Sequence, residues 1–168
     1  VTVSNDQTAK LWTIQGKLLR TFIGHEGNIY SVSFSPDGQT VATASKDETI
    51  KLWNLQGQVL HTFTGHQDSV YSVTFSPDGQ YLASSSRDKT VRLWDLQGKT
   101  IAILKGHQKS IDDVQFSPDG KSCCVVYAAL LFKGGWDYWA PYANLAPTEG
   151  RWFPSGFAEN SRGLGWYE

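Results

Sequence analysis

Three kinds of side chain that together make a hydrolytic triad recur along this sequence. His25, Thr43 and Asp47 supply an imidazole, a hydroxyl and a carboxylate, and His66, Ser84 and Asp88 supply the same set. A general base, a nucleophile and an orienting acid are the groups that acyl transfer needs. Each set is also tied to an indole, Trp53 or Trp94, and a shorter N-terminal copy keeps Thr2, Asp6 and Trp12. The step from His25 to His66, from Asp47 to Asp88 and from Trp53 to Trp94 is 41 residues. A triad occurs once, in a cleft; a set repeated in register reads as structure. Other chemistries lack their residues. There is no glycine-rich phosphate loop, and the only cysteines, Cys123 and Cys124, are adjacent and without metal ligands at the right spacing. The chain is therefore expected to be no enzyme, with no cofactor and no metal.

The elements that must position these residues are short strands. Tyr30, Val32 and Phe34 alternate with Ser31 and Ser33, a period of two. Ser-Pro-Asp-Gly at 35–38 then turns the chain, because proline presets one backbone angle and glycine tolerates the left-handed one. Val41–Ser45 is the next strand, Lys46-Asp47-Glu48 a tight turn, Thr49–Trp53 a third strand, and Val59–Phe63 a fourth after Gln56-Gly57. The Ser-Pro-Asp-Gly turn recurs at 76–79 and 117–120, and Gly-His at 24–25, 65–66 and 106–107. Four strands in about 41 residues make one propeller blade. His61 lies outside the pattern, where a lone strand histidine belongs to packing or surface.

With Trp94-Asp95 as the literal pair, and Trp53-Asn54 and Trp12-Thr13 as variants, the units resemble WD repeats over residues 1 to about 120. The resemblance implies an all-β chain, a partial β-propeller forming an open arc of four-stranded antiparallel blades, with an irregular C-terminal tail. Residues 1–23 are expected to form a partial blade lacking its first strand. Complete blades follow at 24–64 and 65–105, the start of a fourth at 106–127, and a divergent aromatic and glycine-rich tail at 128–168. In the family the polar set forms a buried hydrogen-bond chain, here Thr2, Asp6 and Trp12; His25, Thr43, Asp47 and Trp53; and His66, Ser84, Asp88 and Trp94. A satisfied buried network fixes one geometry, which gives these residues a structural role.

In WD-repeat proteins partners often sit on the face whose loops precede each blade's inner strand. Carried over, that face presents Asn5, Asn28, Tyr30, Lys46, Ser69, Tyr71, Arg87, Ser110 and Asp112. Tyrosine and arginine are enriched at the energetic centres of interfaces. The expected partner is a protein or peptide carrying acidic groups or phosphate. The competing reading is that Tyr30 and Tyr71 pack between blades while Lys46 and Arg87 are solvated turn charges.

A formal net charge of -1 argues against nucleic acid or membrane binding by bulk electrostatics. The longest apolar run, from Cys123 to Phe132, is about half the roughly 20 residues that span a bilayer. A cytoplasmic setting is expected. The chain has no Met and begins inside a unit, so it reads as a fragment. Further blades would come from a parent polypeptide or from another copy. Repeats this alike resemble those of bacterial multi-domain signalling proteins.

Beyond Gly120 the register fails: Val125, Ala129 and Gly135 stand where hydroxyl, aspartate and tryptophan are due, and Trp136-Asp137 comes one place late. Three readings stay open for this tail. It is a frame-shifted end; or Cys123–Tyr127 is the fourth blade's second strand with an irregular cap behind it; or its aromatic residues bind a small ligand or carbohydrate.

Overall fold

The computed structural model describes residues 1–126, 157–160 and 163–166. The chain divides into two compact units, Val1–Ala128 and Ala129–Glu168. Every described element is a strand, and no helix among the described residues is long and apolar enough to cross a membrane.

The first unit is a succession of antiparallel sheets, each built from consecutive strands. The first sheet has β1 (Thr2–Val3), β2 (Thr8–Trp12) and β3 (Leu18–Ile23), in that order. The second holds β4 (Ile29–Phe34), β5 (Thr40–Ser45), β6 (Ile50–Asn54) and β7 (Val59–Phe63), and the third holds β8 (Val70–Phe75), β9 (Tyr81–Ser86), β10 (Val91–Asp95) and β11 (Thr100–Leu104). A fourth opens with β12 (Asp113–Phe116) and β13 (Cys123–Val126), paired so that Phe116 lies opposite Cys123. This pairing extends the blade pattern six residues past Gly120. The described part of the second unit is one hairpin, β14 (Phe157–Asn160) with β15 (Gly163–Trp166).

The turn chemistry is more complete than proline and glycine alone. Ser35 is buried; its hydroxyl donates to Asp37 Oδ1 at 2.6 Å and accepts the Thr40 amide at 2.9 Å. Ser76 and Ser117 repeat the arrangement with Asp78 and Asp119. Hydrogen bonds from the serine hydroxyl and the backbone hold all three aspartates below the usual carboxylate range.

Apolar burial lies at the junctions between sheets. Ala9 and Phe22 of the first sheet meet Ile29, Val41 and Trp53 of the second. Ala42, Leu52 and Phe63 of the second meet Val73, Leu82 and Trp94 of the third, and Ala83 and Val91 meet Val114 of the fourth and Ile111 just before it. An aromatic pair marks two of these junctions: Phe22 meets Trp53 edge-on at 5.6 Å between centroids, and Phe63 meets Trp94 at 5.8 Å. Backbone bonds cross as well, from the Ile29 amide to Ser4 and from the Ile111 amide to Ser86. Each cluster joins one sheet to the next, which gives an open arc of propeller-type blades.

Candidate functional site

The two complete polar sets close into hydrogen-bond chains. Each begins at a Gly-His step, where the glycine is needed because the indole lies against it. A Cβ on Gly24, whose φ is +154°, would sit 3.2 Å from the Trp53 ring. His25 thus enters the sheet edge with Nδ1 2.7 Å from Asp47 Oδ2 and Nε2 2.8 Å from Thr43 Oγ1. The Trp53 indole N–H donates to Thr43 Oγ1 at 2.8 Å. In the third sheet His66 lies 2.7 Å from Asp88 and 2.8 Å from Ser84, and Trp94 donates to Ser84 at 2.9 Å. In the third sheet a neutral imidazole completes the chain: Trp94 indole to Ser84 hydroxyl, hydroxyl to His66 Nε2, Nδ1–H to Asp88.

Electrostatics favour that state. Burial lowers the pKa of His66 below its ordinary 6.5 and outweighs the opposing pull of Asp88; the Arg92 cation adds to the lowering. Burial would raise Asp88, but hydrogen bonds from Thr90, His66 and the Gln67 amide outweigh it and bring the carboxyl down to about 2. Asp47 is held lower still, burial being outweighed by His25, Thr49 and the Glu26 amide.

The order hydroxyl–imidazole–carboxylate is that of a hydrolase, but the surroundings are not. Thr43 and Ser84 are 0% exposed, and each hydroxyl already accepts an indole N–H. No substrate carbonyl can reach either oxygen without opening the sheet junction. The incomplete first set departs from the expected buried chain. Trp12 donates to Thr2 at 2.9 Å, but Thr2, Asp6 and Trp12 are all exposed. Asp6 accepts the Thr8 amide and hydroxyl, as Asp47 accepts those of Thr49 and Asp88 those of Thr90, but it has no imidazole to link it to Thr2. Trp12 is 38% exposed, and among the described residues no phenylalanine ring meets it as Phe22 meets Trp53.

The loop face is built on β-bulges. Tyr30 is the extra residue between Ile29 and Ser31 in the pairing of β4 with β5, and Tyr71 holds the same place in β8. A bulge re-aims a side chain, and here it brings the two rings together edge-on at 5.4 Å. Lys46 is fixed beside them by its amide on the Asn28 carbonyl, at 2.8 Å, and Arg87 by its amide on Ser69, at 3.0 Å. Lys46 and Asn5 are exposed, and Asn28, Ser110 and Asp112 are half-buried. Arg87 pairs loosely with Asp68, 3.7 Å apart, a partner that the repeat pattern does not mark. Burial raises the Tyr71 pKa; Arg87 opposes this, while Tyr30, Asp112 and Asp68 add to it. Ser69 is 6% exposed, and its carbonyl accepts the Arg87 amide. His61 packs, its ring lying against Gly98 of the next sheet.

Successive antiparallel sheets joined through a Trp–Phe contact, with a His–hydroxyl–Asp chain inside each four-stranded one, define a propeller-type repeat protein. The family model described as "WD domain, G-beta repeat" matches residues 16–54, 57–95 and 98–137, and the chain belongs to this family. The third match runs past the boundary near residue 120 expected above. It spans one residue more than the other two and ends on Trp136-Asp137, which accounts for that pair coming one place late. The first two matches each start in the turn before an outer strand and end on the third strand of the following sheet, so one sequence repeat bridges two blades. A guanine nucleotide-binding protein subunit beta from Oryza sativa subsp. indica, and one from subsp. japonica, are each 49% identical over 45 residues. The match covers 26% of this chain and 12% of either relative.

Proposed function

We propose that the chain is a protein-interaction scaffold without chemistry of its own, and that it binds a peptide or protein on the loop face around Tyr30 and Tyr71. The observation that carries this is the bulge-directed tyrosine pair, flanked by Lys46 and Arg87. Tyr30 is 39% exposed and meets Tyr71 edge-on at 5.4 Å, so the pair presents aromatic surface to solvent. Arg87 and Asp68 are 63% and 42% exposed in their side chains, and an ion pair in that setting contributes only about 0–1 kcal/mol. An incoming carboxylate or phosphate therefore displaces Asp68 at small cost and gains Arg87. The name of the rice relatives, a subunit, supports a role in assemblies. The carbohydrate reading of the tail falls on residues outside those described, apart from the hairpin backbone.

A random peptide display library selected against the chain tests the proposal. Enriched sequences are expected to carry acidic or phosphorylated residues, and Tyr71→Ala/Arg87→Ala to abolish their retention. Retention unchanged by that double substitution would remove the loop face from the account.

A further inference from the structure

The outer strands β3, β7 and β11 form the free edges of their sheets, and each contains a β-bulge. In β7, Trp53 lies opposite Val59 and Leu52 opposite His61, which leaves Leu60 as the extra residue. Leu19 and Ile101 hold the same place in β3 and β11. The three are exposed almost equally, at 51%, 52% and 49%. Leu60 belongs to the middle sheet, with one sheet before it and one after, so its exposure is a property of the repeat itself. Leu18, Val59, Ile103 and Leu104 lie exposed beside these residues.

Charge on this rim is predominantly positive, with Asp95, whose Oδ1 accepts the Lys99 amide at 2.9 Å, at its margin. The chain holds 16 Asp and Glu residues, yet none falls within 14–23, 55–64 or 96–105. Those segments carry Lys17, Arg20, Lys99 and Lys105, all exposed, and none of the four forms an ion pair among the described residues. The rim is also continuous from sheet to sheet. The Arg20 stem lies against Gly57, where a Cβ would come within 3.3 Å of it, and the His61 ring fills the corresponding notch at Gly98.

We propose that this rim is a second docking surface, for a protein segment that combines aliphatic anchors with aspartate or glutamate. Bulges break the hydrogen-bond register of an edge strand, so an added strand gains few backbone bonds there. Side chains must therefore carry the recognition: aliphatic groups against Leu19, Leu60 and Ile101, carboxylates against the four cations. A flat anionic bilayer fits less well, because the blades of a propeller fan around an axis and their rims do not share a plane.

The test titrates the whole chain with a labelled synthetic peptide of leucine and glutamate, with a leucine–lysine counterpart, and with phosphatidylserine vesicles. The acidic peptide is expected to bind and the basic one to fail. Lys17→Glu/Arg20→Glu/Lys99→Glu/Lys105→Glu is expected to weaken the acidic peptide at least tenfold, and Leu60→Gln several-fold. Loss of the acidic peptide in Tyr71→Ala/Arg87→Ala with full binding kept by Leu60→Gln and by the charge reversal places the peptide on the loop face and overturns the proposal. Equal binding of both peptides, insensitivity to charge reversal, or capture by vesicles without capture of the acidic peptide overturns the proposal.

Discussion

Ser84, His66 and Asp88 stand in the connectivity of a catalytic triad, at hydrogen-bonding distances throughout. What separates them from one is the fourth member and the burial: Trp94 occupies a lone pair of Ser84, and the hydroxyl sees no solvent. A fluorophosphonate probe is therefore expected to leave Ser84 unmodified in the folded chain, as read by peptide mapping; labelled Ser84 would restore the enzyme reading. Ser84→Ala orphans both the imidazole Nε2 and the indole N–H, at a cost of roughly 1–3 kcal/mol in urea denaturation. Acid acts on the same chain in two steps. The lowered pKa of His66 means that the unfolded chain takes up that proton first, so stability declines as pH falls below 6.5 toward the folded value. Asp88 contributes fully above 3.8, and its share is lost as pH falls through about 2. A denaturation midpoint that rises on acidification contradicts this assignment.

At the scale of elements, strands and turns were legible because they rest on local chemistry. Alternation marks Tyr30 to Phe34, and Gln56-Gly57 marks the turn before Val59–Phe63, whose limits the structure reproduces. The bulges were not legible. One extra residue leaves no trace in a period-two pattern, and it is the ladder pairing that singles out Tyr30, Tyr71 and Leu60. Ser69 reads as a surface residue from its loop position and is buried, because a side chain's direction depends on the neighbouring turn. Equally hidden is the left-handed backbone of Glu48 and Lys89, at φ of 69° and 70°. Lys89→Gly relieves that conformation and is expected to stabilise the chain by roughly 0.5–1 kcal/mol. Gly65→Ala is expected to act in the opposite direction, since φ is +144° and a Cβ would meet Arg92 at 3.0 Å and Trp94 at 3.4 Å. Thermal melts of the two variants check both signs; equal melting temperatures would refute the reading.

For the molecule as a whole, stability runs from sheet to sheet through nearest-neighbour contacts, as in other repeat proteins. Phe63 is 1% exposed and lies at the junction of the second and third sheets, so Phe63→Ala is expected to cost about 3–5 kcal/mol in denaturant and to broaden the transition. A small, cooperative loss would show that the sheets do not depend on one another in this way. The repeat period made the class of fold legible at this scale, because one 41-residue step carries turn, indole, imidazole and carboxylate together. Partner identity was not, because it depends on a few exposed side chains around an otherwise common frame. The central claim is that binding resides on the Tyr30–Tyr71 face while the polar quartets only hold the sheets. Calorimetric titration of a library-selected acidic peptide into the native chain and into Tyr71→Ala/Arg87→Ala tests it most directly. Affinity is expected to fall at least tenfold, about 1.4 kcal/mol, with the denaturation midpoint unchanged. Equal affinity for the two proteins would contradict it.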